Sequence, residues 1–85
     1  MWIRSQDRKI LTEIHDVEID SGFKVWGSGS LIGEYSTQEK AIKVLDMIQE
    51  KIIERELMNF GLAKRFSYEH CAFQMPQDDE VKENE

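Results

Sequence analysis

One long amphipathic segment dominates this short chain. Ser36-Thr37-Gln38-Glu39 sets a hydroxyl three residues before a carboxylate, so that each side chain can satisfy an unpaired amide at a helix start. Beyond it, Ala41, Val44, Leu45, Ile48 and Ile52 recur at spacings of three and four, while Lys40, Lys43, Asp46, Gln49 and Glu50 take the opposite side. The pattern predicts a helix from about Thr37 whose apolar stripe drifts through Ile53, Leu57 and Phe60 to a left-handed cap at Gly61. Twenty-odd helical residues extend beyond about 30 Å, whereas a sheet of short strands is only about 15–20 Å tall. The distal part, from Ile53 to Phe60, therefore overhangs and packs either on the chain after Gly61 or on another subunit.

Upstream of the helix the periods are those of strands. Trp2 to Ser5 alternates apolar and polar, and Gln6-Asp7-Arg8-Lys9 reads as a polar turn. In the run from Lys9 to Asp20, Ile10, Thr12 and Ile14 share one parity and Val17 and Ile19 the other, which predicts a bulge or turn near His15-Asp16. Ser21-Gly22 is a turn before a strand from Phe23 to Trp26, with Phe23 and Val25 facing one way and Lys24 and Trp26 the other. Gly27-Ser28-Gly29-Ser30 turns the chain into a further strand, Leu31 to Tyr35, and the first 35 residues read as an antiparallel meander. After the helix, Leu62 to His70 has no clear period. Ala72 to Met75 forms a last short strand ended by Pro76. The expected fold is α+β: an antiparallel β-meander covered by one long helix, with a short C-terminal strand. Residues 1–76 make one domain and residues 77–85 a disordered acidic tail.

Size and charge narrow the function classes. A chain of 85 residues buries only about 60–65% of the surface its unfolded form exposes, so a homo-oligomer, a dimer or larger, is expected. Eleven basic against 17 acidic residues, a formal charge of −6, argue against general nucleic-acid binding, which needs many cations on phosphates. Asp78 to Glu85 carry −4 of that charge, so the body is near −2 and locally basic sites remain open. A single cysteine, Cys71, cannot close a disulfide within the chain. The N-terminus lacks the apolar run of a secretory signal and no stretch suits a membrane span, so a cytoplasmic protein without a membrane partner is expected.

Catalysis finds little footing. A nucleophile and base would have to come from Cys71 with His15 or His70, and His70 and Cys71, as strand neighbours, would point to opposite faces. Asp16, Glu18 and Asp20 alternate with Val17 and Ile19 and offer oxygen ligands to a divalent metal, although a solvated strand face is the plainer reading. The Gly-Ser loop feeds a strand instead of a helix, so it lacks the geometry of a phosphate cradle. No catalytic residue, metal or cofactor is assigned. Trp2, Arg4, Gln6 and Arg8 share a parity if the first strand continues, and Lys24 and Trp26 share another. An aromatic plane beside forked cationic donors is what a small anionic nucleotide requires, and Trp2, Arg4, Arg8, Lys24 and Trp26 are the candidate ligand-binding residues. The alternative is that Trp2 is core with arginines at its rim, or that Trp26, Tyr35, Phe66 and Tyr68 form a patch facing a protein. The acidic tail either mimics nucleic acid in a partner's basic groove or keeps the protein soluble.

Four stretches together resemble a family of short phage and prophage proteins of Gram-positive bacteria: Met1-Trp2-Ile3-Arg4-Ser5-Gln6-Asp7, Leu31 to Ala41, Val44-Leu45-Asp46-Met47-Ile48 and Phe73-Gln74-Met75-Pro76-Gln77-Asp78. The resemblance spans nearly the whole chain and is least marked from Leu57 to Cys71. It carries over no catalytic residues. It implies a phage context, in which small proteins without enzyme motifs act by binding. Two readings follow: sequestration of a nucleotide-derived signal of host defence, or inhibition of a host protein.

Overall fold

The computed structural model describes residues 1–57 and 72–82. In chain order these form β1 (Trp2–Arg4), β2 (Leu11–Glu13), β3 (Val17–Ile19), β4 (Lys24–Gly27), β5 (Ser30–Glu34), α1 (Gln38–Leu57), β6 (Ala72–Gln74) and one 3-10 turn, Asp78–Glu80. The class is α+β, with an antiparallel meander in the order β3-β4-β5 and one long helix. The other strands do not extend that meander. They make a second three-stranded sheet, β2-β1-β6, in which β1 is antiparallel to β2 and parallel to β6. The single meander expected over the first 35 residues is thus corrected to two sheets, with β6 reaching its place by a crossover instead of a hairpin.

The division falls where parity changes, at His15 and Asp16 between β2 and β3. Ser28, in the β4–β5 turn, fastens that corner. Its hydroxyl accepts from the His15 N–H (2.8 Å), and its own N–H donates to the Asp16 carbonyl (3.1 Å) and carboxylate (3.3 Å). Ser28 (φ 48°) and Gly29 (φ 86°) are both left-handed, as a two-residue hairpin turn with the native strand twist requires. Further along, Val25 pairs with Gly33 but Trp26 pairs with Leu31, so Ile32 is an extra residue in β5. This bulge lets Ile32 and Gly33 both face inward while Leu31 and Glu34 face out. The Ile32 carbonyl accepts from the Gln6 N–H at 2.8 Å, which ties the two sheets together.

The core gathers Ile3, Ile14, Val25, Ile32 and Tyr35 from the strands, Ala41, Val44 and Ile48 from α1, and Met75 and Val81 from the C-terminal segment. Fully burying each large apolar side chain contributes about 1.5–3 kcal/mol relative to leaving it in water. The helix turns its expected stripe inward, but its apolar far end does not reach cover: Ile52 and Ile53 are 42% and 50% exposed. The expected cap at Gly61, the distal stripe at Phe60 and the aperiodic stretch Leu62 to His70 lie outside the described residues. The N-terminal hydroxyl is that of Thr37, which accepts from the Lys40 N–H at 3.1 Å. The Ser36–Glu39 pairing is displaced because the Ser36 N–H donates instead to Asp78 Oδ1 at 2.8 Å.

That contact corrects the expectation of a disordered tail for residues 77–82. Gln77 and Glu80 bond reciprocally across the 3-10 turn, and Val81 enters the core with 4% of its surface exposed. The acidic composition concealed one buried valine and one carboxylate with a backbone donor to satisfy. Residues 83–85 lie outside the described residues.

Candidate functional site

The five residues selected from the sequence fall on two separate surfaces. On the β2-β1-β6 sheet, Ile3 points into the core, so Trp2 and Arg4 share the outer face. Register places Trp2 between Glu13 of β2 and Ala72 of β6, and Arg4 between Leu11 and Gln74. All six of these side chains are exposed, and Trp2 at 42% and Leu11 at 52% leave substantial apolar area open to solvent. Strand rise sets Trp2 and Arg4 about 6.6 Å apart along β1.

Gln6 and Arg8 do not continue this face, contrary to the parity reading. β1 stops at Arg4 because Ser5 and Asp7 close a turn through their side chains: the Ser5 hydroxyl donates to Asp7 Oδ1 (2.6 Å) and accepts from the Ile10 N–H (3.0 Å). The Ser5 hydroxyl, and after it the Lys9 N–H at 2.9 Å, hold the Asp7 carboxyl below its usual range. Arg8 sits in the turn with a left-handed backbone (φ 69°) and is exposed. Gln6 acts as a structural bridge instead. Its Nε2 donates to the Pro76 carbonyl (3.2 Å) and its Oε1 accepts from the Glu34 N–H (2.9 Å). Sequence reasoning had no means of foreseeing this, because both partners are remote in the chain.

Lys24 and Trp26 lie on the outer face of the other sheet, among carboxylates. Trp26 is opposite Glu18 on one side and Leu31 on the other, and Lys24 is opposite Glu34. The Trp26 indole N–H donates to Asp20 Oδ2 at 2.9 Å, while Asp20 Oδ1 accepts from the N–H groups of Gly22 (2.8 Å) and Lys24 (3.1 Å). These donors, the indole first, hold the Asp20 carboxyl below its ordinary range. An anionic ligand is poorly served by such surroundings. The carboxylates suggested as metal ligands are likewise divided, Asp16 bonding Ser28 and Asp20 bonding the β4 end. Among the described residues no cluster of three or more His, Cys, Asp or Glu could hold a metal ion.

Among the described residues, two concave regions lie near these faces, and neither includes any of the five residues. A cavity of about 250 Å³ lies between α1 and the β2–β3 corner, floored by Ile14, Val17, Leu45 and Ile48 with His15 and Gln49 at its rim. A more open one of about 410 Å³ runs between Lys43 and Met47 of α1 and the Glu80 to Lys82 segment. At the other side of that segment, Lys40 Nζ donates to the Asp78 carbonyl (3.1 Å) and approaches its carboxylate (3.5 Å). The Ser36 N–H, first, and then Lys40 hold Asp78 below the usual carboxylate range. Burial, reinforced by Asp78 and Glu80, pushes the Tyr35 phenol well up, in keeping with its O–H donating to the Pro76 carbonyl at 2.8 Å.

His70, Cys71, Phe66 and Tyr68, considered above for catalysis or for an aromatic patch, lie outside the described residues. No helix among the described residues is long and apolar enough to cross a membrane. No protein-family model, curated protein or solved structure matches the chain.

Proposed function

We propose that this chain is a noncatalytic, phage-type binding protein of the host cytoplasm that sequesters a small nucleotide-derived signal and so counters host defence. The observation that supports this reading is the pairing of Trp2 with Arg4 on one exposed face of the central strand of the β2-β1-β6 sheet. A ring to stack on and a guanidinium one side-chain step away match the separation between the base and the phosphate of one nucleotide. Trp2 stacks on the base, Arg4 takes the phosphate through its forked donors, and Leu11 supplies apolar contact beside it. The exposed apolar area of Trp2, Leu11 and neighbouring Ile10 favours burial of this face in a homo-oligomer, with the ligand held at the subunit interface. Lys24 and Trp26 are left out of this site because carboxylates surround them, and Arg8 is left out because it stands in a turn beyond the strand.

The test is titration calorimetry and native mass spectrometry of the full chain against cyclic nucleotides and ADP-ribose cyclisation products. A ligand should bind without turnover, and Arg4→Ala or Trp2→Ala should weaken it by about tenfold or more, the scale of one charge-assisted hydrogen bond or one stacking contact. Absence of binding across the panel, or binding indifferent to both substitutions, would overturn the reading.

A further inference from the structure

We infer that the outer face of the β3-β4-β5 sheet is a second docking surface, and that it accepts an arginine-bearing segment of a partner protein. This goes beyond nucleotide sequestration and uses none of the Trp2–Arg4 face. Among the described residues this sheet face leaves Glu18, Leu31 and Glu34 exposed and Lys24 and Trp26 half-buried, organised in two cross-strand rows. One row is Glu18, Trp26 and Leu31, and the next is Lys24 and Glu34, with Asp20 at the end of β3 beside Lys24.

Three features set its chemistry. The bulge at Ile32 sends Leu31 outward beside Trp26, so the row has an apolar end that is 39% exposed. Asp20 takes the indole N–H, which fixes the half-buried Trp26 ring, so the part of it open to solvent offers a partner π surface and no donor. Glu18, Asp20 and Glu34 against Lys24 alone give the face a net charge of −2. Neither Glu18 nor Glu34 has an ion pair within the described residues. An immobilised indole bordered by unpaired carboxylates attracts a cation over its ring, and a planar guanidinium satisfies ring and carboxylates together. Phosphate is repelled by the same charges. The layout of a sheet face suits a macromolecular segment, because small cations are bound in concave sites.

The experiment titrates the full chain, uniformly labelled with nitrogen-15, with a hexa-arginine peptide in low salt, reading backbone amides and the Trp26 indole N–H by NMR. Saturable shifts should concentrate on residues 17–34, with the indole among the largest. Glu18→Gln combined with Glu34→Gln should weaken the peptide at least tenfold while leaving the melting temperature within a few degrees. Trp26→Leu checks the ring, and should that variant fail to fold, the glutamine pair alone carries the test. Shifts centred on Asp79 and Glu80 with β3 to β5 unmoved would overturn the inference, as would unchanged affinity in the glutamine variant or no saturable binding. Hexa-arginine carries no nucleotide, so either outcome leaves the Trp2–Arg4 reading to its own test.

Discussion

Val81→Ala is the sharpest probe of how this fold is closed. Val81 follows an acidic 3-10 turn, yet only 4% of its surface is exposed and it belongs to the same core as Val44 and Met75. Removing two carbons forfeits roughly 1.6 kcal/mol of transfer free energy, and an imperfectly collapsed cavity raises the loss to about 2 kcal/mol. A domain of this size holds on the order of 4–13 kcal/mol in total, so the loss is a substantial fraction of it. The expected fall in melting temperature is on the order of 10 °C. Urea denaturation followed by far-ultraviolet circular dichroism measures the free-energy loss, with Lys82→Ala as the exposed control one residue away. The midpoint should drop for the valine variant and stay for the lysine variant. A Val81→Ala loss below about 0.5 kcal/mol, equal to the control, would refute the assignment of this segment to the core, since surface substitutions fall in that range.

Three further outcomes test the joints of the fold. Gly27→Ala brings a Cβ to 2.7 Å from Ile14 Cγ2, on a stiff β-branch, and 3.1 Å from Ile32 Cδ1, both in the core, so it should destabilise by about 1–3 kcal/mol in the same urea assay. Gln6→Ala removes the bonds to Pro76 and Glu34. It should cost about 1–3 kcal/mol, with faster hydrogen exchange at the Glu34 amide as the local sign. Asp78→Asn addresses pH: the Asp78 carboxyl is depressed in the folded chain, chiefly by the Ser36 N–H. Its contribution is therefore complete above about pH 4 and lost as pH falls through the lower folded value. The asparagine variant should show a shallower decline of melting temperature below about pH 4, with a residual slope from Asp7 and Asp20, which are depressed too. An acid limb identical to the parent's would remove Asp78 from that account.

The working surfaces were only partly legible before folding. Side-chain alternation already separated Trp2 and Arg4 from Ile3, because a strand allows its neighbours no other arrangement. Extending that alternation to Arg8 failed because Ser5 and Asp7 close a turn through their own side chains, which ends β1 at Arg4. Grouping Lys24 and Trp26 with the arginines failed for a different reason. Cross-strand neighbours fix the charge around a residue, and Glu18, Asp20 and Glu34 come beside β4 only once the register is set.

Local rules were enough for the helix, its inward stripe of Ala41, Val44 and Ile48, the break at His15-Asp16 and the turn within Gly27 to Ser30. Each of these follows from residues within a few positions of one another, where periodicity, capping and backbone sterics act directly. Three other features depended on contacts across the whole chain: the split into two sheets, the parallel docking of β6 on β1, and the seating of Val81 and Asp78. Asp78 lies 42 residues from the Ser36 amide it receives. An acidic run looks the same to any local rule whether it is solvated or holds a helix start, and only the packed core, by admitting Val81, distinguishes the two.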